Sequence, residues 1–123
     1  MIIIATISLS IFYPDKSKDE PKLYVADIEM EYLETGAEIK GLFLNKSNEQ
    51  VNFVYRLSLH KRSRSGSSST NQGGLFVAEP GEKVFLSQVN ISLKNGEKYS
   101  IDLKIYYGQE VIAQKFISSS FDI

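Results

Sequence analysis

The sequence predicts an all-β fold, an immunoglobulin-like antiparallel β-sandwich of about seven strands. Three observations carry this. From Leu23 onward no apolar stripe recurs at the helical period. Apolar and polar side chains instead alternate one by one in short runs. Turn signals rich in Gly, Asn, Pro and Ser separate those runs.

The elements follow in order. In "KLYVADIEMEY", Tyr24, Ala26, Ile28, Met30 and Tyr32 share one face, and Asp27, Glu29 and Glu31 take the other. Thr35-Gly36 breaks the chain before a second strand, "EIKGLFLNK", whose alternation is blurred because Leu42, Phe43 and Leu44 are consecutive. "KSNEQ" is a turn. "VNFVYRLSLHK" alternates well: Val51, Phe53, Tyr55, Leu57 and Leu59 are expected inward, with Asn52, Arg56, Ser58 and His60 outward. A long Ser-rich segment follows and is expected to be a loop. Beyond it, "GLFVA" is a short fourth strand. "EPGE" is a turn of type II character in which Gly81 takes φ > 0. "KVFLSQVNISL", "KYSIDLKIYY" and "EVIAQKFIS" are the fifth, sixth and seventh strands.

Parity constrains two of the connections. Asn95-Gly96 is a strong two-residue hairpin signal. Such a hairpin would put Val89, Ile91 and Leu93 on the face opposite Tyr99, Ile101, Leu103 and Ile105, and paired residues must share a face. Either a bulge repairs the register, or the two strands lie in different sheets that face one core. The second arrangement is the immunoglobulin crossover, in which Tyr99 would occupy a tyrosine corner. A turn at Gly108-Gln109, by contrast, pairs Tyr107 with Glu110, Ile105 with Ile112, Ile101 with Phe116 and Asp102 with Lys115, so the last two strands are expected to form a true hairpin.

Composition sets the outer limits. A chain of 123 residues with 42% hydrophobic content makes one domain with a real core. A net charge of −1 and a pI near 5.8 argue against a nucleic-acid partner, which would demand a basic surplus. With no cysteine, disulfides, thiol catalysis and cysteine metal sites are excluded. The apolar run "MIIIATISLSIF" is too short to cross a bilayer, where ~20 residues are needed. It suits the apolar region of an export signal, although no Lys or Arg precedes it and no A-x-A site follows. The alternative is a buried first strand, since Ile is β-branched. Residues 1–13 are thus expected to be an export signal or apolar segment, 14–22 a polar linker and 23–123 a single sandwich domain. The mature domain is expected to stay out of the membrane.

No catalytic constellation is visible, and no enzyme is expected. His60 falls on a polar parity with no positioned partner. None of the serines sits in a G-x-S-x-G elbow. Asp27, Glu29 and Glu31 stand on alternate positions ~7 Å apart, so all three cannot close on one ion. No metal or cofactor is therefore expected. A basic cluster remains, Arg56, His60, Lys61, Arg62 and Arg64. It is either the solubilising flank of a loop or a surface that attracts a partner of opposite charge.

The most distinctive stretch is the expected loop "SGSSSTNQGG": Ser65, Gly66, Ser67, Ser68, Ser69, Thr70, Asn71, Gln72, Gly73 and Gly74. Followed by "LF", "PGE" and "LSQVNISL", it resembles the CsgH-like family of curli-assembly chaperones, over most of the chain from about Tyr24 to Ile117. The resemblance implies an exported β-sandwich protein. Its partner would be a curlin-type amyloid subunit, bound in the periplasm and kept from premature polymerisation. A monomer is expected. On this view Ser65 to Gly74 form a candidate client-binding loop, or else a plain connection between the sheets. An enterobacterial protein of similar fold and role carries a C-x-C motif; this chain has no cysteine, so no thiol function transfers. The rival class is a structural or adhesive cell-envelope subunit. No internal repeat of the kind a fibre subunit needs is present, and the strand count leaves no gap for a donated strand.

Overall fold

The computed structural model describes residues 22–94 and 96–119, and the expected export segment lies outside them. Seven strands run through the described residues: β1 (Tyr24–Leu33), β2 (Gly36–Asn45), β3 (Val51–Ser63), β4 (Gly66–Ala78), β5 (Lys83–Ser92), β6 (Lys98–Tyr107) and β7 (Glu110–Ser118). They form two antiparallel sheets, in the orders β1-β2-β5 and β4-β3-β6-β7. The sandwich is the one the alternation demands. Ile39 and Phe43 from one sheet meet Leu57, Ile101, Leu103 and Ile105 from the other, all essentially removed from water.

The parity argument holds at the β5–β6 connection. The two strands belong to different sheets, and each turns its apolar set to the common core. Gly96 sits in that connection at φ +85°. Tyr99 does pack on the core, but among the described residues its hydroxyl does not reach back to upstream backbone. It meets the Tyr32 hydroxyl at 2.6 Å and so links β6 to β1 across the sandwich. Gly81 takes φ +79°, as its turn requires.

Two bulges interrupt the ladders, and the second corrects the register expected for the last hairpin. In β5, Ser87 lies opposite Gly41 but Phe85 opposite Leu42, so Leu86 is the extra residue. That extra residue lets Val84, Leu86, Val89 and Ile91 all pack toward the core despite a break in their spacing. In β7, Tyr107 does face Glu110, but Ile112 is then inserted. The pairs become Ile105 with Ala113, Ile101 with Ile117 and Asp102 with Phe116, leaving Phe116 outward and 57% exposed.

The largest correction concerns the Ser-rich segment. It is not a loop. Only Arg64 and Ser65 turn the chain, and Gly66 to Ala78 run as one strand, paired to β3 from Ser63↔Gly66 to Val51↔Ala78. Among the described residues β4 is the outermost strand of its sheet. At its polar end the inward positions Ser68 and Thr70 are exposed and Gln72 is half-buried, so those positions need no apolar side chain.

Candidate functional site

The pairing of β3 with both β4 and β6 builds the site. Residues that share a ladder row share a face. Arg56 therefore lies between Gly73 on β4 and Lys104 on β6, and Arg62 lies between Ser67 and Lys98. His60 lies between Ser69 and Ser100. All point to the outer face of the four-stranded sheet, opposite the parity of buried Leu57 and Leu59. Among the described residues no carboxylate is within ion-pair distance of Arg56, Arg62 or Lys98. Asp102, also on this face, pairs with Lys104 at 3.6 Å and accepts a hydrogen bond from Gln114.

The basic cluster expected from the sequence is thereby divided. Arg56, His60 and Arg62 share the outer face, and Arg64 sits in the turn beyond it. Lys61 has the opposite parity and is engaged elsewhere. Its ammonium donates to the Ser92 carbonyl at 2.8 Å and pairs with Glu97 at 3.6 Å, tying β3 to the end of β5. Glu97 accepts the Lys94 backbone N–H, and this bond, aided by Lys61, holds its carboxyl below the ordinary range. In exchange the structure brings in Lys98 and Lys104, which sequence reasoning missed. Their outward parity on the sixth strand was visible; that the sixth strand lies beside the third was not.

β4 supplies the uncharged part of the site. The Ser58 hydroxyl donates to Asn71 Oδ1 at 2.8 Å, and His60 Nδ1 meets the Ser69 hydroxyl at 2.9 Å. These contacts fasten the polar half of β4 to β3, where apolar packing does not. Toward the other end of the same face runs an apolar row, Leu75, Val54, Tyr106 and Val111, with Leu75 83% exposed. The face is thus apolar at one end and basic at the other, and an uncharged polar strand forms one margin.

A fold of this class, a small antiparallel β-sandwich, is shared by solved structures. The match to the solution structure of R. palustris CsgH has a TM-score of 0.57 at 18% identity, over 74% of this chain and 89% of that one. The E. coli curli protein CsgC matches with a TM-score of 0.62 at 15% identity, over 76% and 96%. The sporulation control protein Spo0M of Bacillus subtilis matches with a TM-score of 0.51 at 10% identity, over 80% of this chain but 49% of that one. No curated protein matches in sequence. The model of the CsgH protein family matches residues 33–115, and the chain belongs to that curli-associated family.

Proposed function

We propose that the protein is an exported chaperone for curlin-type amyloid subunits, which works in the periplasm as a monomer and delays their polymerisation. One observation carries the reading. Arg56 stands directly opposite Lys104, and Arg62 directly opposite Lys98. Like charges facing each other across a ladder destabilise a sheet. Asp102 offsets the first pair at Lys104, but no carboxylate among the described residues offsets the second, and the surplus is accounted for if the face meets a partner bearing negative charge, which relieves the repulsion on binding. The apolar row beside them offers contact area to the same partner. Gly66 to Gly74, a strand margin and not a loop, lie next to these charges and with Ser65 in the turn before them belong to the proposed contact region.

Curlin polymerisation followed by dye fluorescence tests the function. Added far below equimolar amounts, the protein is expected to lengthen the lag. An unchanged lag at equimolar protein would refute the reading.

A further inference from the structure

Among the described residues four strand edges are left unpaired: β1 and β5 in one sheet, β4 and β7 in the other. An unpaired edge displays backbone N–H and C=O groups that another chain can adopt, and proteins guard such edges with charge, bulges, proline or inward-pointing charged residues. Three of the four are guarded. β1 carries Asp27, Glu29 and Glu31. β5 opens with Lys83 and is bulged at Leu86. β7 is bulged at Ile112 and places Lys115 on the inward parity, opposite buried Leu103. β4 has none of these devices. Its 13 residues contain no charge and no proline, and its register with β3 is unbroken.

We infer that the free edge of β4, from Ser67 to Gly74, is a docking site for an extended partner segment that adds to the sheet as a fifth strand. Backbone hydrogen bonds would hold it, and the side chains flanking the edge would select it. On the outer face the edge is backed by Arg62 behind Ser67 and by Arg56 behind Gly73. These are small residues, over which a guanidinium can reach toward the next strand. The two arginines are six positions apart on one strand, a span of about 20 Å. The fitting partner is therefore a strand of small polar residues with carboxylates at i and i+6, both on one face. On the inner face Ser68, Thr70 and Gln72 present hydroxyl and amide groups, which favour polar side chains there too. A second copy of β4 fits poorly: it has no carboxylate, and pairing would bring two sets of arginines together.

The inference rests on the client-binding reading of this region, and the test keeps the two apart. Backbone amide exchange of the full domain is measured residue by residue with added synthetic peptides of Ser, Thr, Asn and Gln. One peptide carries Glu at i and i+6. A second carries Glu at i and i+5, which places the charges on opposite faces of a strand. The first is expected to slow exchange at every second amide between Ser67 and Gly74, and to bind about tenfold more tightly than the second. Equal binding of the two peptides, protection at β1, β5 or β7 instead, or β4 protection that grows with the protein's own concentration would each overturn it. Curlin lag extension reports separately on the function. A lengthened lag with no alternating protection when curlin is added sinks the docking edge and spares the chaperone. Alternating protection by the peptide with no lag effect does the reverse.

Discussion

Asn45→Ala should cost more stability than any other single polar-to-alanine change in the described residues. Asn45 is fully buried at the end of β2. Its Nδ2 donates to the carbonyls of Glu49, Ala78 and Glu79 at 2.7, 3.2 and 3.1 Å. Its Oδ1 accepts the Ser47 backbone N–H at 3.0 Å and the Ser47 hydroxyl at 2.7 Å. One amide thus joins the β2–β3 turn to the end of β4. Alanine removes both sides of this network and leaves the buried Ala78 carbonyl without that donor. A stranded buried acceptor costs about 2 kcal/mol, and the lost turn bonds about 1 kcal/mol more, for a total near 3 kcal/mol. In a domain of this size the midpoint of thermal unfolding should fall by roughly 15 °C. Urea unfolding followed by far-ultraviolet circular dichroism measures the loss, with exposed Asn52→Ala as a comparison expected within about 0.5 kcal/mol of wild type. Asn45→Asp, which keeps the shape but turns the donor into an oxygen facing carbonyls, should be no better than alanine. A loss below about 1 kcal/mol for Asn45→Ala would refute the network as a stabilising element.

Further outcomes follow from the same geometry. A Cβ at Gly36 would lie 1.9 Å from the Ile91 carbonyl oxygen, so Gly36→Ala should force β2 and β5 apart and cost about 3 kcal/mol in urea unfolding. Burial, and then the bond to Tyr32, push the Tyr99 hydroxyl up to about 12. The folded state thus holds its proton more tightly than the unfolded chain, and this contribution is complete below pH 10 and lost as pH rises from 10 to 12. Tyr99→Phe should flatten the stability profile in that window. Arg62→Ala should relieve the repulsion with Lys98, which has no ion-pair partner among the described residues, and raise stability by about 0.5 kcal/mol, while shortening the lag extension proposed for the wild type. The double charge reversal Arg56→Glu/Arg62→Glu should abolish the extension, as should 1 M salt, where the screening length is ~3 Å. Variants that weaken lag extension only in proportion to lost stability would show the face to be structural.

The legible and illegible parts of this fold divide along a physical line. Alternation reports burial, so strands with one covered face announced themselves: Val51 to Leu59 and Ile101 to Ile105 read correctly because Phe43 and Ile39 lie against them. Parity even narrowed the β5–β6 connection to a bulge or a change of sheet, and the second is found. β4 failed the same reading for the same reason. Its polar half extends past the covered part of the core, so nothing selects apolar residues there, and a strand without burial looks like a loop. The bulges at Leu86 and Ile112 were hidden because an inserted residue moves side chains without leaving any local mark in the pattern. The site was half legible. Arg56, His60 and Arg62 could be placed on one face from β3 alone, but Lys98 and Lys104 join them only through a strand pairing that no local pattern encodes. Lys61 was wrongly grouped with them because adjacency in sequence is opposition in a strand.

An edge that accepts a strand carries the hazard of being a template for stacking. The composition of β4 answers it. Fibril growth requires more than backbone pairing: paired sheets must also close a dry interface between their side chains. From Gly66 to Gly74 β4 has no apolar side chain, and two of its last positions have no side chain at all. A docked segment there would gain backbone bonds worth about 1 kcal/mol each and two charge contacts, all of them open to water. Such an assembly is reversible and has no dry face to extend. Leu75, Phe76 and Val77 lie at the opposite end of the same strand, and their register places Phe76 in the core while Leu75 and Val77 face outward. Strand pairing and apolar contact are thus held on separate stretches of β4. A client that engages one stretch at a time is retained only briefly, which suits the proposed role of delaying polymerisation without joining it.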